Sequence, residues 1–253
     1  IDQAAKAKND AIDASNLTAE EKDALKKTVA GEVQKAKSNI DAATKDADVK
    51  TAQTSGEQAI NAVEIPASVS KTDAINAINT ALAAKKGAIN GTNLTVEEKT
   101  ALVNKAQKLA DDAIANINKA TTNDAVKTAK DTGVETINNM NVPTTSATKD
   151  AAISAINTAL ADKKTAINGT NLTAEEKSTL VGQAQKLADD AIANINKATT
   201  NDAVNTAKET GVETINNVKV PDTSATKDAA KDAIAQAAKT KDDAIDASNL
   251  TAE

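Results

Sequence analysis

Several residue types are missing from this chain, and each absence removes a class of function. The 253 residues include no His, Cys, Phe, Tyr or Trp, and all 30 basic residues are Lys because Arg is absent too. Without His and Cys the chain lacks the usual general base, the thiolate nucleophile and the common zinc ligands. Without aromatic rings and Arg it lacks stacking platforms and the bidentate phosphate ligand. The composition therefore argues against an enzyme.

Charge and hydrophobicity narrow the choice of partners. A formal net charge of −6 argues against nucleic acid and against an anionic membrane surface. No apolar stretch approaches the roughly 20 residues that a helix needs to span a bilayer. We therefore expect no nucleic-acid partner and no membrane insertion within this chain. The apolar share of 40% is carried by Ala, Ile, Leu and Val, which suffices for helices around a thin core.

One pattern of about 78 residues occurs more than three times along the chain. Its markers recur 77 or 78 residues apart, at Asn16, Asn93, Asn171 and Asn249, at Gly56, Gly133 and Gly211, and at Pro66, Pro143 and Pro221. A period this long, with helix signals inside it, is typical of an array of small structural repeats. Because Ile1 and Glu253 both fall inside the pattern, we expect the chain to be a piece of a longer array.

The third copy shows how one repeat is built, beginning with a helix after Pro143. Ser146 or Thr148 is the predicted N-cap of this helix. Its apolar stripe contains Ile153, Ile156, Leu160 and Ile167, widened by Ala152, Ala159 and Ala166. The pair Asn168-Gly169 is predicted to end the helix, with Gly169 in the left-handed conformation that follows many helix C-termini.

The second helix of the repeat begins with a capping box, in which Thr173 and Glu176 each satisfy an amide of the other. The same Thr-x-x-Glu pattern occurs at Thr18–Glu21 and Thr95–Glu98. The helix is predicted to run for about 25 residues, or about 38 Å at the standard rise. Its apolar positions are Leu180, Ala184, Leu187, Ala191, Ile195 and Ala198.

The third helix follows a short polar break, and Thr200 or Asn201 is its predicted cap. Its apolar stripe consists of Val204, Ala207, Gly211, Ile215 and Val218. A glycine inside a helix costs about 1 kcal/mol relative to alanine. We interpret Gly211 as a place where a neighbouring helix approaches closely, and a local kink is the alternative.

Three helices joined by short turns predict an up-down-up bundle, whose odd helix number places its two ends at opposite poles. The predicted fold is therefore all-α, with tandem three-helix bundles arranged end to end as an elongated rod. Each repeat should add about 35–45 Å, judged from helix length. The predicted domains are 1–65 (repeat 1, lacking its N-terminal part), 66–142 (repeat 2), 143–220 (repeat 3) and 221–253 (repeat 4, its first helix and the start of the next).

No residue of the repeat meets the requirements of a catalytic, cofactor or metal site, and ligand-binding residues stay open. The doublets Asp111-Asp112 and Asp189-Asp190 would need converging side chains to bind a cation, whereas adjacent helix residues point in different directions. Glu97-Glu98 and Glu175-Glu176 are explained as acids at helix starts. The glycosylation-type tripeptides at Asn90, Asn93, Asn168 and Asn171 coincide with helix ends and caps.

The ordered blocks of the repeat resemble a known family. Asn-Leu-Thr-x-Glu-Glu-Lys, Ile-Asn-Lys-Ala-Thr-Thr-Asn-Asp-Ala-Val and Thr-Gly-Val-Glu-Thr-Ile-Asn resemble a helical repeat of unknown function in Gram-positive surface proteins. Staphylococcal surface protein C, the extracellular-matrix-binding protein homologue, and lactobacillal and streptococcal adhesins carry repeats of this kind. The resemblance covers the whole chain. It implies an extracellular, wall-attached protein whose repeats form a stalk, with adhesion located in a separate region.

Functions of different classes stay open at this point. The first is a structural stalk that projects the binding region of a surface adhesin from the cell wall. The alternative is a repeat module that itself binds a host plasma or matrix protein, or that mediates homotypic aggregation between cells, as in a biofilm. In each case we expect no cofactor and a monomeric chain.

Overall fold

The computed structural model describes residues 1–248, and this part of the chain consists of helices and short connections. Its ten helices are α1 (Asp2–Ala14), α2 (Ala19–Asp41), α3 (Asp46–Asn61), α4 (Val69–Asn90), α5 (Val96–Lys119), α6 (Asn123–Asn138), α7 (Ala147–Asn168), α8 (Ala174–Lys197), α9 (Asn201–Asn216) and α10 (Ala225–Asp246). The fourth Asn-Leu-Thr tripeptide, at Asn249, lies outside the described residues, as does the predicted second helix of repeat 4.

The first nine helices form three bundles in tandem, α1–α3, α4–α6 and α7–α9, each around its own apolar core. The predicted all-α class and the tandem three-helix bundles are confirmed. The chain divides into two compact units, residues 1–91 with 100–142, and residues 92–99 with those from 143 onward. Within residues 1–248, every helix is too short or too polar to cross a membrane.

Isoleucines and alanines fill the core of each bundle. The buried apolar side chains of α7, α8 and α9 are Ala152, Ile156, Ala159, Leu160, Ile167, Ala184, Ala188, Ala191, Ile195, Val204 and Ile215. Two predicted stripe positions of α8, Leu180 and Leu187, are only half-buried, and Ala166 on α7 is exposed. Ala188, next to Leu187 in the chain, is buried in the core instead. A small side chain there lets α8 pack close to the other two helices, and Leu187 lies at the edge of that contact.

The glycine of the third helix marks a close helix contact, as predicted. A Cβ atom added to Gly211 would lie 2.5 Å from Cβ of Ala191 on α8 and 2.7 Å from Cδ1 of Ile156 on α7. The helix α9 continues through Gly211 without a break. Gly133 has the same surroundings in the second bundle, so the close approach is a property of the repeat.

The prediction of a left-handed residue at Gly169 is wrong. Gly169 has φ −71° and ψ −8°, and no residue between 1 and 248 has a positive φ. The helix end is satisfied differently, because the amide and the hydroxyl of Thr170 both donate to the carbonyl of Ile167, at 3.2 and 2.7 Å. Ala14 occupies the glycine position in repeat 1, which agrees with a conformation open to any residue.

The N-caps of α7 and α9 are residues that the sequence analysis gave as candidates. Ser146, not Thr148, caps α7 and accepts from the amide of Lys149 at 3.2 Å. Thr200, not Asn201, caps α9. The predicted capping boxes are confirmed at three second helices, by the pairs Thr18 and Glu21, Thr95 and Glu98, and Thr173 and Glu176.

Candidate functional site

The most elaborate polar structure in the chain lies where one repeat meets the next. We call this contact a repeat junction: the N-terminus of the second helix of one repeat lies against the first and third helices of the following repeat. The first junction joins the start of α2 to α4 and α6, inside the first compact unit. The second joins residues 92–99 to α7 and α9, and the third joins the start of α8 to α10, both inside the second unit.

One glutamate at each junction caps helices of two different repeats. In the second junction, Oε2 of Glu98 accepts from the amide of Thr95 at 3.0 Å, which closes the capping box of α5. Oε1 of Glu98 accepts from both the amide and the hydroxyl of Thr148, in the first turn of α7, at 3.1 Å each. The equivalent cross-repeat bonds are Glu21 to the amide of Ser70 and Glu176 to the amide and hydroxyl of Thr226.

The preceding glutamate caps the third helix of the following repeat. Oε2 of Glu97 accepts from the amide of Asn201 at 2.9 Å, and Glu20 does the same for Asn123 at 3.0 Å. A backbone bond of 2.8 Å from the amide of Val96 to the carbonyl of Thr199 closes the contact. Three helix N-termini therefore meet at each complete junction, and two carboxylates compensate their partial positive charges.

These bonds hold the junction glutamates in their ionised form. Burial raises the pKa of Glu98, but hydrogen bonds from Thr95, Ser146 and Thr148 outweigh it and lower the pKa from 4.5 to about 2. The pKa is likewise lowered to about 2 in the two equivalent residues, Glu21 and Glu176. A pKa this low keeps the three carboxylates ionised at neutral pH.

At the helix C-termini, lysine side chains bind carbonyl groups, as the junction glutamates bind amide groups at the N-termini. In repeat 3, three lysines spaced 14 residues apart donate to carbonyl oxygens at the ends of three helices: Lys149 to Asn196 (2.9 Å), Lys163 to Asn216 (2.8 Å) and Lys177 to Asn168 (3.0 Å). Lys149 is only 5% exposed. An ammonium group against the last carbonyls of a helix is favoured by the helix dipole. Charged side chains thus bind free backbone groups at both ends of the helices in repeat 3.

Two lysines equivalent to Lys149, Lys71 and Lys227, also bond across a junction to the preceding repeat. Nζ of Lys71 donates to Oδ1 of Asn16 in the preceding repeat and to the carbonyl of Asn118, both at 2.9 Å. Burial lowers the pKa of Lys71, although the charge of Glu21 opposes this effect. In the third junction, Lys227 donates to the carbonyl of Asn171 at 2.7 Å. The Asn-Leu-Thr block thus supplies acceptors to the next repeat.

The acidic doublets that the sequence analysis considered as possible cation sites lie outside the repeat junctions. Asp112 pairs with Lys108 at 2.8 Å on an exposed helix face, and Asp111 accepts from Gln107 at 2.9 Å. The doublet at Asp189 and Asp190 has the same pairing. Among residues 1–248, Asp and Glu side chains form no group of three or more that could hold a metal ion.

The interpretation of Glu97-Glu98 as helix-start acids was incomplete, because these residues also contact the following repeat. Sequence reasoning likewise missed the buried Lys149, one of 30 lysines. A signal for it existed in the constant step of 14 residues between Lys149, Lys163 and Lys177, which recurs at Lys71 and Lys85.

The open surface of the second and third bundles carries a groove between the second and third helices. Its volume is about 480 Å³ between α5 and α6 and about 470 Å³ between α8 and α9. Alanines and threonines make up most of the lining, and Asp112 or Asp190 is the one titratable group in it. A lone carboxylate in an open groove has no second group with which to perform acid–base chemistry.

Comparison with known proteins identifies the repeat. A family described as Domain of Unknown Function (DUF1542) matches residues 1–68, 70–145 and 148–223. The chain belongs to this family. The domain is known from Gram-positive surface proteins, so the predicted resemblance is confirmed. No curated protein and no solved structure matches the chain significantly.

Proposed function

We propose that these DUF1542 repeats form a non-enzymatic stalk of a bacterial surface adhesin, outside the cell and attached to its wall. The observation that carries this proposal is the repeat junction, in which Glu97 and Glu98 cap two helices of the following repeat. A junction that satisfies helix ends on both sides favours continuous stacking of repeats over loosely linked beads. Such an array would hold a distal binding region away from the wall.

The topology of one bundle supports the same proposal. With three helices, the chain enters the third bundle at the start of α7 and leaves at the opposite pole, at the end of α9. Junction contacts at both poles then add length with each copy. We propose repeat boundaries at the prolines, giving 1–65, 66–142, 143–220 and 221–253, because Pro143 and Pro221 lie in the connections between bundles.

Small-angle scattering on chains that differ in repeat number tests the stalk. We expect the maximum dimension to grow by about 35–45 Å per added repeat, since the longest helix sets the length of a bundle. The scattering should be measured at high dilution, where association between chains is minimal. A maximum dimension that stays constant while repeats are added would refute the stalk.

A binding assay separates a stalk from a binding module. We expect plasma proteins and fibronectin to be retained no better by immobilised repeats than by an unrelated helical bundle, because Trp, Tyr and Arg, the usual residues of binding hot spots, are absent. Specific retention that increases with the number of repeats would instead assign the binding function to the repeats themselves.

A further inference from the structure

Asparagine followed by glycine occurs twice in the sequence, at Asn90-Gly91 and Asn168-Gly169. In both pairs the asparagine is the last residue of the first helix of its repeat, α4 or α7. The asparagine and the glycine are exposed in each case. The pair therefore ends a helix at a place that water reaches, and it also has a covalent chemistry of its own.

That chemistry is a spontaneous loss of ammonia from the asparagine side chain. The backbone nitrogen of the glycine attacks Cγ of the asparagine, a new C–N bond forms, and the side-chain nitrogen leaves as ammonia. Water then opens the five-membered imide at one of its two carbonyl groups, which gives aspartate or isoaspartate. One water is consumed and one ammonia is released, so the step is balanced without an oxidant or a reductant. Glycine favours the attack because it has no Cβ atom to hinder the approach.

The contacts at the end of α7 allow this attack once the last turn of the helix opens. A Cβ atom added to Gly169 would lie 3.5 Å from the carbonyl oxygen of Thr165 and 3.7 Å from that of Ala166, so the glycine is not crowded. Two hydrogen bonds oppose the reaction. The amide of Gly169 donates to the carbonyl of Thr165, and Nζ of Lys177 donates to the carbonyl of Asn168, each at 3.0 Å. Both bonds lie at a helix end, where local opening requires the least free energy.

The product aspartate already occurs at this position in other repeats. Asp13 of repeat 1 and Asp246 of repeat 4 are equivalent to Asn168. The carbonyl of Asp13 accepts from Nζ of Lys22 at 2.9 Å, as the carbonyl of Asn168 accepts from Lys177. A carboxylate at a helix C-terminus is disfavoured by the helix dipole, and the ammonium group beside it offsets this effect. The fold therefore accepts an aspartate in place of Asn168.

We propose that Asn90 and Asn168 are deamidation sites, at which the folded chain converts spontaneously to aspartate and isoaspartate when the helix end frays. Each conversion adds one negative charge to a chain whose formal net charge is −6. The isoaspartate product also takes the main chain through the former side chain, which adds one carbon atom between α7 and α8. Asn171 and Thr173 lie in that connection and belong to the third junction. Formation of isoaspartate at residue 168 therefore displaces the junction, whereas formation of aspartate leaves it in place.

Incubation of the complete chain at neutral pH, followed by proteolysis and mass spectrometry, tests the proposal. Replacement of the amide nitrogen by oxygen raises the mass of a peptide, and chromatography separates its aspartate and isoaspartate forms. We expect conversion at Asn90 and Asn168 and none over the same period at Asn93 and Asn171, which are also exposed but precede leucine. Circular dichroism checks that the chain stays folded throughout. A folded chain that keeps both asparagines while the urea-unfolded chain converts them would overturn the proposal.

Two variants test the contacts around Asn168, and the unchanged site at Asn90 serves as the standard within each molecule. Gly169→Ala should nearly abolish conversion at Asn168, because the methyl group hinders the attack, and Ala14 at the equivalent position of repeat 1 shows that the fold accepts alanine. Lys177→Met should accelerate conversion at Asn168 by about three- to tenfold, because the carbonyl loses its charged donor. Neither variant should change the rate at Asn90. Conversion that Gly169→Ala leaves unchanged, or that Lys177→Met fails to accelerate, would overturn the proposal.

Discussion

Oε1 of Glu98 accepts two hydrogen bonds from Thr148, one from its amide and one from its hydroxyl, each at 3.1 Å. The two residues are 50 positions apart and belong to successive repeats. Because the other carboxylate oxygen closes the capping box of α5, one side chain ties the start of a helix to the start of the next bundle. The junction therefore depends on a small number of identifiable groups, each of which can be changed separately.

Replacement of Glu98 by alanine should destabilise the chain. The substitution Glu98→Ala removes the capping box and leaves the amide of Thr148 without its acceptor. A lost cap and a lost charge-assisted bond together cost about 1–3 kcal/mol. Urea unfolding followed by circular dichroism measures the loss as a lower midpoint. Glu135→Ala, at an exposed position of α6, is the control and should change the midpoint little. Equal midpoints for the two variants would contradict the assigned role.

Acid should weaken the junctions. The pKa of Glu98 is about 2 in the folded chain and about 4.5 in the unfolded chain, so unfolding is accompanied by proton uptake at pH values between these two pKa values. The stabilising contribution is therefore complete above about pH 5 and is lost as the pH falls toward 2. Urea midpoints measured across this range should fall less steeply for Glu98→Gln than for the parent chain. Parallel curves would exclude Glu98 as a source of acid sensitivity.

Alanine substitutions at two glycines should change the stability of the folded chain in opposite directions. Gly211→Ala places a methyl group 2.5 Å from Cβ of Ala191, so overpacking should destabilise the chain by about 1–3 kcal/mol despite the better helix propensity. Gly182→Ala is the matched control on α8, where nothing lies within 4 Å of the added group. It should stabilise the chain by up to about 1 kcal/mol. Thermal unfolding measures both, and adding Ala191→Gly to Gly211→Ala should restore part of the loss.

Lys149 should contribute more to the stability of the folded chain than an exposed lysine does. The substitution Lys149→Met keeps the apolar stem but leaves the carbonyl of Asn196 without its charged donor, at an expected cost of about 1.5–3 kcal/mol. Lys186→Met is the control, because the ion pair of Lys186 with Asp190 is exposed and should contribute little. Chemical unfolding of both variants distinguishes them. A Lys149→Met chain as stable as the Lys186→Met chain would show that the buried ammonium has no structural role.

The helices and their caps could be predicted because they depend on residues close together in the chain. Thr173 and Glu176 are three positions apart, so their reciprocal bonds follow from local geometry alone. The close contact at Gly211 followed from a glycine on an apolar stripe. The prediction for Gly169 failed since glycine permits the left-handed conformation without requiring it.

The composition and periodicity of the sequence determined the all-α class, the repeat, the helix ends and most core isoleucines. The tertiary structure alone decided that Ala188 faces the core beside a half-buried Leu187, that Lys149 is buried, and that Glu97 and Glu98 cap helices of the following repeat. The physical reason is distance along the chain. Periodicity and capping act over about four residues, whereas the partners of Lys149 and Glu98 lie 47 and 50 positions away and meet them only when the bundles have formed.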